Sequence, residues 1–276
     1  MDCEQAYFAI KEVSELTGVN AVTLRAWQRR YGLLNPMRTE QGHRLYSQAD
    51  IETIQQIVVW LEKGVAISKV RPLLAEPEAN EVTPQADEHK ALPLAEVTAA
   101  LFDCRRKKLD QLLIQLMKEY PSELFLKQVV HPVEQAIQRA DNPLAQIQQA
   151  LWQSVMTERC LALVAQARKR ADKSSFLISF EPNVNYRLWI KAWLLAEKGD
   201  DVTILPALDS KLLGLGAAMT QLKVESLYVF GEQRISPQAV SQLDALQRHI
   251  GCQITLLGSI ATIHQHDFSH LSPRSE

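Results

Sequence analysis

Residues 20–46 read NAVTLRAWQRRYGLLNPMRTEQGHRLY. The pattern is a short helix followed by a hairpin. Asn20 has a side-chain oxygen suited to accept from a free backbone N–H at a helix start. Leu24 and Trp27, three residues apart, turn inward, which leaves Arg25, Gln28 and Arg29 facing outward. Gly32 ends the helix, and Pro36 biases Asn35 towards an extended conformation, so that an arm begins through Met37 and Arg38. Thr39-Glu40-Gln41-Gly42 has turn chemistry and His43-Arg44-Leu45-Tyr46 forms the returning arm. Between Thr23 and Tyr46 stand five arginines (Arg25, Arg29, Arg30, Arg38, Arg44) against a single carboxylate, Glu40.

The flanking residues complete a small domain. Ile10, Val13 and Leu16 fall on one face of a helix that stops at Thr17-Gly18, where glycine permits a tight reversal. Two short helices joined by a glycine turn, the second basic on its exposed side, predict a helix-turn-helix whose second helix enters the major groove. The hairpin behind it reads as a wing. Arg38, His43 and Arg44 fall at or near its tip, where they reach phosphates or a narrow minor groove. Tyr31 and Tyr46 have two open roles, donating hydroxyls to phosphate or packing at the wing root. Ser47 to Asp50 fits a capping box, and the helix it opens buries Ile51, Ile54, Ile57, Val58 and Leu61. A shorter helix from Ser68 carries Val70, Leu73 and Leu74.

Composition sets the outer limits. At 276 residues the chain has room for about two domains of ordinary size. A formal net charge of −2 excludes a histone-like coating protein and concentrates attention on one local basic surface. Cysteines at 3, 104, 160 and 252 are too scattered for metal knuckles or a disulfide framework and read as reduced, mostly buried thiols. The N-terminus lacks a basic-then-apolar signal region, and no apolar run approaches the roughly 18 residues of a membrane span, so a cytoplasmic chain is expected.

Beyond residue 75 the pattern changes twice. EPEANEVTPQADEHK (76–90) is acidic, contains two prolines and lacks an apolar period, so 76–91 reads as a mobile linker after a 1–75 head. Residues 92–172 are helical throughout, with apolar spacing at Leu109, Leu112, Leu113 and Leu116 and again at Leu151, Val155, Leu161 and Val164; Pro121 and Pro143 sit at helix starts. A bundle of three or four helices is expected. From 173 to 265, four short apolar strands (FLIS, VTIL, SLYVF, ITLL) alternate with helices, which predicts a doubly wound parallel α/β sheet covered on both faces. Residues 266–276 read as a frayed polar tail. The fold class is therefore multi-domain: winged helix-turn-helix, helical bundle, then parallel α/β sheet.

VTLRAWQRRYGLL followed by RTEQGHR resembles the MerR family of winged-helix transcription regulators. Within the family it resembles the MlrA/BluR-like branch, and the order of bundle then sheet resembles the architecture of the light-sensing CarH type. The resemblance covers residues 7 to about 75 at motif level. It implies DNA contacts from the second helix by Thr23, Arg25, Arg29, Arg30 and Tyr31, and from the wing by Arg38, His43, Arg44 and Tyr46. It further implies double-stranded DNA as partner, a homodimer on an inverted repeat, and RNA polymerase addressed only indirectly. Cobalamin-binding relatives carry DxHxxG after the first strand of the sheet. Here residues 179–187 read SFEPNVNYR, without histidine or glycine. No cofactor is therefore expected, and the C-terminal half is read as sensing a small molecule or docking a regulatory protein. The rival reading, a cobalamin-dependent light sensor, lacks its ligand histidine.

Other chemistry-bearing residues have plainer readings. Arg105-Arg106-Lys107-Lys108 reads as a solvated helix face. His249, His264, His266 and His270 lie without carboxylate or cysteine partners at metal spacing and read as surface histidines, so no metal is expected. Glu181 and Asp209 have no neighbouring nucleophile or base, and Gly214-x-Gly216 alone is too little for a nucleotide loop. No catalytic residue is expected.

Overall fold

The computed structural model describes residues 7–75, 92–139, 142–183, 185–208, 212, 214–250 and 253–266. The expected linker at 76–91, the tail beyond His266, and Cys3, Asp209, Cys252 and His270 lie outside the described residues. The chain forms two compact units, residues 1–152 and 153–276.

The first unit opens with β1 (Tyr7–Ala9), α1 (Ile10–Thr17) and α2 (Ala21–Ala26), which continues as a π-helical turn over Trp27–Tyr31. Gly18 at φ 69° makes the reversal between the helices. Asn20 Oδ1 accepts from the N–H groups of Val22 and Thr23, both at 2.9 Å, which seats the second helix. β2 (Met37–Arg38) and β3 (Arg44–Ser47) form the wing. The sequence pattern shows two arms; the structure adds a third strand, in the order β1-β3-β2, with Phe8 opposite Tyr46. α3 (Gln48–Glu62) starts at a Ser47–Asp50 capping box and buries Ile51, Ile54, Ile57 and Leu61. α4 (Val70–Ala75) follows a short 3₁₀ turn. Leu16, expected inside, is 58% exposed, and Val13 alone of its stripe is fully buried.

The same unit continues with α5 (Leu92–Phe102), α6 (Arg106–Glu119), α7 (Ser122–Phe125), a second π-helical turn, α8 (His131–Ile137) and the start of the long α9 (Ala145–Ala167). Val97, Leu101, Leu109, Leu113, Phe125, Val133 and Trp152 are buried and supply the bundle core. The acidic composition of 76–90 marks a boundary in sequence, but head and bundle share one compact unit because side chains of the bundle bond directly to the head. Cys104 is exposed, against the expectation of mostly buried thiols, whereas burial holds the Cys160 thiol well above its ordinary pKa.

The second unit is the expected α/β layer structure. β4 (Lys173–Ser179), β5 (Asp200–Leu205), β6 (Ser226–Phe230) and β7 (Gln253–Leu257) form an all-parallel sheet in the order β5-β4-β6-β7, linked through α10 (Arg187–Glu197), α11 (Leu215–Gln221) and α12 (Pro237–Ile250) and followed by α13 (Ile260–Ile263). Phe176 and Ile178 join Met219, Leu227, Val229 and Leu243 in one buried cluster, while Leu177, between them, faces the opposite side of the sheet. Strands buried on both faces read as continuous apolar runs, which is why FLIS and SLYVF show no alternation.

Candidate DNA-binding surface

The surface is built on the second helix and the wing. Apolar and small side chains at Thr23, Leu24, Ala26 and Trp27 are buried, so the remaining face carries the charge. Arg29 is exposed and Arg25 half-buried. In the wing, Thr39 N–H donates to the His43 carbonyl at 2.9 Å and Gly42 N–H to the Thr39 carbonyl at 2.8 Å, closing the tip with Gly42 at φ 82°. Arg38 and His43 stand exposed there. Arg44 Nε donates to Gln28 Oε1 at 2.7 Å, tying the returning strand to the outward side of the helix. Arg25, Arg29, Arg38, His43 and Arg44 thus lie on a helix and a wing that are bonded to each other.

Of the other four residues expected in the interface, two are buried and two contact the bundle. Thr23 and Tyr46 are fully buried, and among the described residues neither hydroxyl has a hydrogen-bond partner. Neither presents an atom to a duplex. Thr23 lies one helical turn before Trp27 and shares its inward face. Tyr46 packs at the wing root opposite Phe8, and burial raises its phenol pKa despite the opposing pull of Arg44 and Arg25.

Arg30 and Tyr31 contact the bundle, the Arg30 side chain staying 51% exposed. Arg30 Nη1 lies 2.6 Å from Glu119 Oε1. The Tyr31 hydroxyl bonds to the same carboxylate, and burial together with that acceptor raises its pKa well above the ordinary phenol value. Trp27, expected to turn inward, is fully buried, and its Nε1–H donates to the Glu119 carbonyl at 2.7 Å. Glu119 gives no local sequence signal for this role, because its partners lie about 90 positions upstream.

The carboxyl edge of the sheet is occupied by the chain's own side chains. In open α/β sheets ligands bind at the carboxyl ends of strands where the strand order reverses, here between β4 and β6. Glu181 accepts there from the Glu232 N–H, and Glu232 in turn accepts from Ser259 N–H at 3.3 Å and from the Ser259 hydroxyl. The Phe230 ring is buried against Gly258, whose added Cβ would stand 2.7 Å from the Gly231 carbonyl oxygen. Among the described residues this edge does not fit a cobalamin tail: the Glu232 and Ser259 N–H groups are taken by the chain's own carboxylates, and Ile260 and Phe230 fill the space beside Gly231 and Gly258. His264, read from sequence as a surface residue, is 2% exposed, and its Nε2 accepts from Ile235 N–H at 3.1 Å. Glu181 is likewise a structural acceptor here. Among the described residues no helix is long and apolar enough to cross a membrane.

A helix-turn-helix with an arginine-bearing wing defines the class: a DNA-binding transcriptional regulator. The profile of the MerR HTH family regulatory proteins matches residues 8–76. The HTH-type transcriptional regulator MlrA of Escherichia coli (strain K12) is 31% identical over 200 residues, 72% of this chain and 80% of its own. MlrA of Salmonella typhimurium (strain SL1344) is 30% identical over 203 residues with the same coverage. The HTH-type transcriptional repressor CarH of Myxococcus xanthus is 39% identical over 92 residues, 32% of this chain and 31% of its own. A solved cobalamin-binding protein from Desulfitobacterium hafniense aligns at TM-score 0.27 and 11% identity over 63% of this chain and 88% of its own, too distant a likeness to define fold or ligand. The chain belongs to the MerR family of transcriptional regulators.

Proposed function

We propose that the chain binds an inverted-repeat operator as a homodimer, one winged head per half-site, through Arg25, Arg29, Arg38, His43 and Arg44. The observation that carries this reading is the Arg44–Gln28 hydrogen bond, which joins the wing to the basic face of the helix. Two such heads read half-sites about one helical turn apart, or a multiple of it, so the operator is pseudo-palindromic. RNA polymerase is affected only through occupancy of that site. In this reading Thr23 and Tyr46 serve the core.

The test is a mobility-shift titration of the full chain against duplexes it selects from random sequence, at fixed salt. Arg25→Ala or Arg44→Ala lowers affinity for the selected duplex by about 1–3 kcal/mol where the contact is to a base, whereas a lost phosphate contact weakens all sequences and flattens the salt slope. Unchanged affinity in both variants overturns the assignment.

The crevice of the sheet unit supports a C-terminal half that works without cobalamin, by docking a regulatory protein or sensing another small molecule. Purified protein incubated with cobalamin and desalted stays colourless on this reading; retained cobalamin absorbance refutes it.

A further inference from the structure

The head and the bundle meet at a carboxylate that DNA binding leaves unexplained. The Glu119 side chain is only 3% exposed, and a buried ionised carboxylate is costly unless paired and hydrogen-bonded. Its partners are Arg30 at 2.6 Å, Gln115 Nε2 at 3.3 Å and the Tyr31 hydroxyl, while its own carbonyl takes the Trp27 indole N–H at 2.7 Å. Three of these four groups lie in the last turn of the DNA-facing helix. That turn is π-helical over Trp27–Tyr31, and Trp27 and Tyr31, four residues apart, share the side that meets Glu119. Next to Glu119, the Tyr120 hydroxyl is hydrogen-bonded to the backbone of Ile67, its pKa pushed up to about 12 chiefly by burial, and Gln128 donates to the Leu61 carbonyl.

Arg30 lies roughly a quarter turn round the helix from Arg29. It is therefore on the flank of the basic face, and the exposed Arg29, Arg38 and His43 stay open while Glu119 holds it. The docked arrangement leaves the DNA-facing side chains accessible.

We infer that Glu119 is a positioning residue for DNA binding: through Trp27, Arg30 and Tyr31 it fixes the orientation of the recognition helix on the bundle, and makes the bundle part of the DNA-reading body. This rests on the DNA-binding reading above. A change in the bundle reaches the operator by shifting Glu119, with no change in the contact residues.

Glu119→Gln keeps the size of the side chain and removes its charge. In the full chain it lowers affinity for the selected duplex by about 5- to 150-fold, the range typical of coupling between sites. Binding of a mixed-sequence duplex at low ionic strength and the salt slope stay as in the unmodified chain, because no phosphate contact is lost. Arg30→Ala produces a similar loss, and the two together lose less than the sum. Unchanged or tighter binding of the selected duplex by Glu119→Gln, or additive losses in the double variant, overturns the inference; tighter binding would make the contact inhibitory. Hydrogen exchange on the unmodified chain decides independently of whether a variant folds. Amides of residues 116–120 remain protected when the duplex is bound, and faster exchange there would show that DNA pulls the head away. Arg25→Ala is the control: if it too leaves affinity unchanged, the DNA-binding reading fails, whereas loss in Arg25→Ala without loss in Glu119→Gln refutes only the role of Glu119.

Discussion

Arg44 donates from Nε to Gln28 Oε1 at 2.7 Å, so the returning strand of the wing is bonded to the helix beside it. Both are half-buried. A charged donor on a neutral acceptor in such a place is worth about 1.5–3 kcal/mol, enough to suppress independent swinging of the hairpin. Helix and wing therefore approach a duplex with one fixed separation, and affinity is not spent on ordering the wing during binding.

Gln28→Ala isolates that effect, because it leaves every arginine in place. We expect affinity for the selected duplex to fall by about 1 kcal/mol with an unchanged salt slope, since no phosphate contact is removed. Arg44→Ala should cost more and, if Arg44 also meets phosphate, lower the slope. Isothermal titration over several salt concentrations separates the two, and equal slopes with equal losses would reduce Arg44 to a tie alone.

Tyr46 offers a gain in stability. Its ring is fully buried and, among the described residues, its hydroxyl has no partner. An unsatisfied buried hydroxyl costs about 1–3 kcal/mol. Tyr46→Phe should leave the unfolding midpoint unchanged or raise it, with no loss of DNA affinity. A drop in affinity at intact stability would return the hydroxyl to the interface.

Asn20 seats the recognition helix through two backbone N–H groups. Asn20→Ala is expected to destabilise the first unit by about 0.5–2 kcal/mol, read as a lower urea midpoint, while Asn20→Asp or Ser retains most of it. An alanine variant with a native midpoint would mean that water caps the helix equally well.

Local chemistry made much of the head legible. The Asn20 cap, the Gly18 reversal, the Gly42 turn and the Ser47–Asp50 box are signals spanning two to four residues, and each appears where its residues stand. The four strands of the sheet were equally visible as apolar runs between helices. What the sequence did not disclose involves distance along the chain. Trp27 turns inward as its spacing from Leu24 implies, but its hydrogen-bond partner is 92 residues away. β1 is three residues long and has no periodicity to detect; it exists because β3 has an open edge for it. Thr23 could have been assigned to the core, since position 23 precedes Trp27 by one helical turn. The family resemblance implied a DNA contact for Thr23, whereas helix geometry puts it on the inward face with Trp27.

Two glycines of the sheet unit separate backbone strain from close packing. Gly258 sits at φ +80°, and a Cβ there would meet the Gly231 carbonyl oxygen at 2.7 Å and Phe230 Cε2 at 3.0 Å. That carbonyl accepts from Ile260 N–H at 3.0 Å, so it cannot retreat without weakening the start of α13. Gly214 has nearly the same backbone, φ +81°, with nothing within 4 Å of its added Cβ. Gly214→Ala should therefore cost only the left-handed penalty of about 1–2 kcal/mol. Gly258→Ala should add about 1–3 kcal/mol of overpacking to that. Urea unfolding of the two variants of the full chain measures the difference directly. Equal losses would mean that the Phe230 and Gly231 edge yields easily, and that the crevice between β4 and β6 has room for a ligand after all.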